Sequence, residues 1–213
     1  MTTAVFSAFT YPSLTLLEAV QAMARNVGIP VPDRVIGDTD RTMVEALDYA
    51  NRLGEELARR VDWGGLVMTA TFSGTGADAA FSLPTDFARL VQGVTAQYGG
   101  SPVRPLTRAE WGSLTAVQGS PRYFLLEAKS LRFWPYPALG EAVSVTYLSR
   151  SWGTQGEEFL ADSDSTVFPS ELLVMGLIAR WRRQKGMDYA DFEAEYEAAL
   201  AQYADFDDRS RIA

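Results

Sequence analysis

Glu157, Glu158, Asp162 and Asp164 fall within one short stretch, SWGTQGEEFLADSDST (residues 151–166). Carboxylates at such spacing could hold a hard cation through oxygen ligands. An EF-hand loop, however, needs ligands at alternate positions, a glycine at the sharp turn and a closing glutamate, and that pattern is absent. The stretch reads instead as a solvated acidic loop whose last acids cap the helix that follows. SGTGA (73–77) is glycine-rich, but it joins two strand-like segments, whereas a phosphate-binding glycine loop leads into a helix N-terminus. A tight hairpin is the expected reading. Arg180, Arg182, Arg183 and Lys185 could grip phosphates or a partner's carboxylates, and they equally suit the end of a helix, where cations oppose the dipole. In AFSLPTDFARL (80–90), Asp86 stands on a rigid corner after Pro84. It is either a reacting carboxylate or the acceptor that holds a turn. The 27 Asp and Glu residues could be paired for sugar hydrolysis in many ways, and the sequence singles out no pair. The tryptophans 63, 111, 134, 152 and 181 suit a core or an interface better than a sugar platform.

Composition narrows this chemistry further. The 213 residues include no His and no Cys. The usual general base near neutral pH is therefore missing, as are the common zinc ligands, disulfides and thiolate nucleophiles. A net charge of −8 opposes general affinity for nucleic acid, because phosphates are repelled unless bases cluster locally. Hydrophobic residues at 47% and charged residues at 22% are ordinary for a globular chain. No apolar run approaches the length that spans a bilayer. The opening MTTAVFSAFTYPSL has no basic region ahead of an apolar one, so no signal peptide is expected. Neither cofactor nor metal is implied.

The elements that must position these residues change period twice along the chain. Residues 13–63 are helical in character. A first helix opens at Ser13 or Thr15, with Glu18 at capping-box spacing, and stops at Gly28 and Pro30. A second covers 41–62, with Met43, Leu47, Ala50, Leu53, Leu57 and Val61 on one stripe and Thr42 with Glu45 as a second capping box. From 66 to about 150 the period becomes two. LVMTATF, AAFSL, RLVQGVTAQY, RYFLLEA, SLRFWPYP and AVSVTYLSR read as strands of an antiparallel meander or small sandwich. A short helix interrupts them at LTRAEWGSL, where Thr107 and Glu110 are again three apart. The helical period then returns. PSELLVMGLIARWRRQK is apolar nearly all round, so it is expected between neighbours and to stop at Gly186. A final helix over 189–203 carries Phe192, Tyr196, Leu200 and Tyr203 on one face, and the tail beyond it is expected to be mobile.

The expected fold class is α+β: a helical bundle from both ends of the chain with an inserted antiparallel β module. Its parts are an N-terminal helical part (1–65), the β module with its short helix (66–150), and the acidic loop, C-terminal helices and tail (151–213).

The order of the motifs carries a resemblance. A helical start is followed by Trp63, then FSLPTDFARL, PLTRAEWGSL, GSPRYFLLEAKSLRFWPYP, VSVTYLSR and FLADSDSTVFPSELLVMGLIARWRRQKGMDY. Over residues 14–204 this succession resembles the head-to-tail adaptor (connector) proteins of tailed, particularly short-tailed, bacteriophages. The resemblance implies a non-enzymatic virion protein, assembled in the host cytoplasm. It would form a cyclic, usually dodecameric, ring between the portal ring and the tail tube or nozzle, through which DNA passes without specific binding and no membrane is engaged. An acidic conduit fits that role, since it repels the duplex and lets it slide. The LPTDF corner is then a joint: Pro84 ends a strand, Asp86 accepts backbone N–H bonds in the turn, and Phe87 anchors the next strand. Portal contact is expected at Phe206, Arg209, Arg211 and Ile212, aided by Arg180, Arg182 and Arg183. Two other classes stay open: a carbohydrate- or receptor-binding virion module using the β part, and an acid-dependent hydrolase.

Overall fold

The structure, a computed structural model, describes residues 2–4, 13–93 and 96–212, and the side chains of 2–4 and 208–212 lie outside that description. In chain order the described elements are β1 (Thr2–Ala4), α1 (Leu16–Val27), α2 (Arg41–Arg60), β2 (Val67–Ser73), β3 (Phe81–Ser82), β4 (Phe87–Leu90), β5 (Ala96–Tyr98) and β6 (Ser101–Pro105). There follow α3 (Arg108–Trp111), β7 (Tyr123–Glu127), β8 (Ser130–Trp134), β9 (Ala142–Ser149), α4 (Ser170–Gln184) and α5 (Ala190–Ile212). The chain divides into two compact units, Met1–Val5 with Val67–Ser149, and Phe6–Leu66 with Arg150–Ala213.

The helical unit is organised around α4. Its residues Leu172, Leu173, Leu177, Ile178, Ala179 and Trp181 are all buried, and α1, α2 and α5 each pack on it. The lack of a polar face along LLVMGLIA is what allows three neighbours at once. Close approach is built in at two glycines. A Cβ on Gly176 would lie 2.9 Å from Leu53 Cδ1, and one on Gly54 would lie 2.6 Å from Cζ2 of Trp152. Helix α1 starts as its sequence requires: Thr15 Oγ1 accepts from the Glu18 amide at 3.2 Å while the Thr15 amide donates to Glu18 Oε2 at 2.8 Å. It ends at Gly28, whose φ of 76° is left-handed. Helix α2 differs from expectation. Asp40, not Thr42, is its N-cap, with Oδ1 accepting from the Thr42 amide at 2.7 Å, and Glu45 is drawn off by Arg41 and Lys185.

The β unit is one mixed sheet. Eight strands follow the path β1-β2-β9-β5-β6-β7-β8-β3, and β4 also pairs with β9. All these pairings are antiparallel except β6 with β7, which is parallel through Arg104 and Pro105. β9 is the hub, pairing along seven residues with β2 and also with β4 and β5. The sheet curls far enough for its two ends to meet. Phe72 of β2 and Phe81 of β3 stand near opposite ends of the path, yet their rings lie 5.8 Å apart, and both touch Phe133 of β8. Inside the curl sit Ala96, Val103, Phe124, Leu131, Phe133, Val143 and Val145, all buried.

This corrects the expected α+β architecture of a helical bundle with an inserted antiparallel module. The fold is mixed α/β, with five described helices, one of them (α3) in the β unit, and a nearly closed, barrel-like sheet that is not purely antiparallel and draws β1 from the N-terminus. The expected six strands fall short for identifiable reasons. RLVQGVTAQY divides into β4 and β5, and SPVRP, with two prolines and only Val103 buried, does not alternate like a strand but serves as β6.

Candidate functional site

The LPTDF corner is a four-residue turn in the β unit, closed by the Phe87 amide donating to the Pro84 carbonyl at 3.1 Å. The carboxylate of Asp86 reaches β9. It accepts from the Tyr147 hydroxyl at 3.0 Å through Oδ1 and from Ser149 Oγ at 2.8 Å through Oδ2. Tyr147 and Ser149 are two apart on β9, so both point to one face, and both are buried. Burial first, and then the hydrogen bond to Asp86, pushes the Tyr147 hydroxyl pKa well above its ordinary value. The expectation named backbone donors for Asp86, whereas these are side-chain donors from β9. Phe87 is half-buried and stacks on Tyr147 with ring centroids 5.6 Å apart. The arrangement ties the turn to the hub strand through two hydroxyls, and no second carboxylate stands beside Asp86 among these contacts.

The acids of the 151–166 loop also act within the fold. Asp162 Oδ1 accepts from the amides of Val35 and Ile36 at 3.0 and 2.8 Å. Asp164 Oδ2 accepts from Leu160 and Ala161, both at 2.8 Å, and the residue is only 1% exposed. The loop is thus a folded strap, further held by Asn51 Oδ1 accepting from the Phe159 amide. Its acids do not cap the next helix as expected. Instead Pro169 is the N-cap of α4, with no side-chain cap bond. Among the described residues no group of three or more potential metal-ligating side chains comes together.

The basic cluster is engaged by side chains of the neighbouring helices. Arg180 pairs with Glu56, Arg183 with Glu193 at 3.3 Å, and Lys185 with Glu45 at 2.5 Å. The Arg182 guanidinium lies 4.0 Å from the Phe192 ring centroid, and Lys185 lies 4.6 Å from that of Trp181. Arg60 bridges to Glu197, whose carboxyl pKa is held below its usual value by that bond. Arg180, Arg183, Glu56, Glu193 and Glu197 border a cleft of about 320 Å³ between α2, α4 and α5. At its wall the buried Tyr196 hydroxyl has no hydrogen-bond partner among the described residues, and burial raises its pKa to about 12.

The C-terminal segment departs most from expectation. Rather than a mobile tail after Tyr203, α5 continues to Ile212. Asp207 is 1% exposed, and its Oδ2 accepts from the Gly64 amide at 2.7 Å. The signal is present in the sequence: 192, 196, 200, 203 and 207 continue one helical stripe, so Asp207 falls on the inner face. Phe206, on the adjoining face, is 47% exposed. The backbone of Arg209, Arg211 and Ile212 lies in the last helical turns, and their side chains lie outside the described residues.

A family profile decides what these surfaces belong to: that of the SU10 adaptor protein matches residues 14–213. The chain belongs to this family. It is a phage head-to-tail adaptor, a structural component of the virion from a family that is not one of enzymes. No curated protein matches the chain. The matched residues take in all five described helices and every strand except β1. For an adaptor, the surfaces that matter are those meeting portal and tail components.

Proposed function

We propose that this adaptor closes into a cyclic ring, a dodecamer, seated between the portal ring and the tail tube or nozzle, with DNA passing through without specific binding. The observation that carries the reading is the family match along nearly the whole chain. Charge supports it: at −8 per subunit, copies repel one another in isolation, so the free protein stays monomeric until the portal presents a template, and a conduit built from it does not grip DNA. Head-to-tail contacts between neighbours, each using two different patches, close such a ring. The end of α5, with Phe206, Arg209, Arg211 and Ile212, is the portal contact. Arg183, with its side chain 64% exposed, is the most accessible of the earlier basic cluster. Arg180 and Arg182 act there by holding α4 against its neighbours.

The test is particle mass, measured by light scattering and electron microscopy with and without the phage's portal ring. A monomer alone and a ring on the portal is the expected result. A monomer that joins no portal ring at any salt concentration overturns the proposal.

A further inference from the structure

We infer that in the assembled ring the first strand of each subunit, β1, pairs with β2 of the neighbouring copy, so that the sheet of one subunit is completed by the next. Three features lead there. First, β2 is seven residues long and rich in β-forming side chains, VMTATFS, and among the described residues its outer edge is covered only by β1, along three register pairs: Thr2 with Ala70, Thr3 with Thr69, and Ala4 with Met68. An edge of this kind is a ready template for an extended segment of another chain. Second, nothing local ties β1 to its own β2. No tight turn joins them; all of residues 5–66 lie between, including α1 and α2 of the other compact unit. Third, residues 5–15, fully extended, would span at most about 40 Å, enough to deliver the strand to an adjacent subunit.

The backbone bonds of a β1–β2 pair are the same whichever chain supplies the strand. Chemistry therefore does not choose between the two, and proximity does. In a free monomer only the chain's own strand is at hand. In a ring the neighbour's strand is held at a comparable effective concentration, and exchange links subunits without any new contact being designed. The family match begins at residue 14 and excludes β1, so this device would be a property of this chain's own N-terminus.

The exchange rests on the ring reading for its closure, and the experiment separates the two. The chain has no cysteine of its own, so an introduced pair reports cleanly. Thr3→Cys and Thr69→Cys face each other in register, and Ala4→Cys with Met68→Cys gives an independent second pair. Each double variant is assembled on the portal, oxidised and run on a non-reducing gel. Disulfides between chains at least as abundant as those within a chain, as a ladder of covalent multimers, are expected. A mixture of the two single variants should then give covalent dimers. Self-linked monomers alone in assembled rings overturn the exchange and leave the ring standing. No disulfide in either pair also overturns it, since β1 would then not be seated on β2. Covalent multimers without a closed ring on the portal would uphold the exchange and overturn the ring.

Discussion

Gly54→Ala is expected to destabilise the helical unit, against what helix propensity alone dictates. Gly54 lies in the middle of α2, where replacing glycine by alanine ordinarily adds about 0.5–1 kcal/mol. Here the new methyl would meet ring carbons of Trp152, with Cζ2 and Cζ3 at 2.6 Å, roughly 1 Å inside ordinary contact. The indole cannot easily give way. Trp152 is 1% exposed, and it is boxed in by Phe159, edge-on at 5.0 Å, and Phe168, stacked at 6.1 Å. Overpacking of this kind costs about 1–3 kcal/mol, and a rigid aromatic obstacle puts Gly54 at or beyond the upper end. After the propensity gain is subtracted, a loss of about 2 kcal/mol remains, or a fall in Tm of about 4–8 °C. The assay is thermal unfolding followed by far-UV circular dichroism and tryptophan fluorescence. Trp152→Leu in the same chain opens the space, so the double variant should be more stable than the sum of the singles by about 1 kcal/mol or more. A Tm that rises with Gly54→Ala, or strict additivity with Trp152→Leu, would refute the packing argument.

Other expectations concern the remaining buried polar groups. Asp207→Ala strips the Gly64 amide of a charged acceptor and should lower stability by about 2 kcal/mol, measured by denaturant unfolding, with faster hydrogen exchange at Gly64. Truncation after Tyr203 removes the same acceptor and should likewise lower the Tm, where a mobile tail would have left it unchanged. Asp86→Ala withdraws the carboxylate shared by Tyr147 and Ser149 and should cost about 2–3 kcal/mol in the β unit, more than the ~1 kcal/mol of an ordinary turn acceptor. An unchanged midpoint in urea would count against it. The raised pKa values of Tyr147 and Tyr196 mean that the folded chain keeps protons that the unfolded chain releases. Their stabilisation is thus complete below about pH 10 and lost as pH rises through the folded-state values. Tyr196→Phe should reduce this alkaline loss at no expense to stability at pH 7, because its buried hydroxyl has no partner to lose; a drop of more than about 1 kcal/mol at pH 7 would contradict that.

What is legible in the sequence follows from local rules. The Thr15–Glu18 and Thr107–Glu110 boxes form as their spacing requires, and the all-round apolar character of α4 correctly places it between neighbours. Failures come where tertiary contacts outvote local ones. Thr42 has capping-box spacing to Glu45, yet Asp40 captures the Thr42 amide and Lys185, far along the chain, captures Glu45. The Asp86 donors stand on β9, 61 and 63 residues away, and only the period-two pairing of Tyr147 with Ser149 hints at a shared polar face. The acidic-to-basic switch after Tyr203, with only Phe206 and Ile212 apolar, reads as a tail because it masks the helical stripe ending in Asp207. β3 is only two residues long, and SPVRP of β6, with two prolines and only Val103 buried, shows no alternation, so the size and curl of the sheet are not visible in the sequence.

The placement of charge bears on how such a protein could work beside DNA. The chain carries 27 acids and 19 bases, and the helical unit spends much of its basic complement on itself. Arg41, Arg52, Arg59 and Arg60 answer acids along α2, while Arg180, Arg183 and Lys185 answer Glu56, Glu193 and Glu45. A cation already held by a carboxylate contributes little attraction at a distance, since the pair's field falls off as a dipole. The acids in excess therefore dominate the outward potential, and on α5 Asp191, Glu195 and Glu197 are exposed. Two effects could thus keep duplex DNA away: repulsion by these excess acids, and pairing of the bases within the fold. Asp191→Asn with Glu195→Gln separates them, because it weakens the repulsion on α5 and leaves Arg60, Arg180, Arg183 and Lys185 with their carboxylates. In a mobility-shift assay at low salt, duplex binding should be absent for the parent and remain weak in the double variant, because the paired bases stay paired. Strong binding by the double variant would show that the bases were held in check by repulsion alone, and would sink the view that their pairing within the fold is what removes them from DNA.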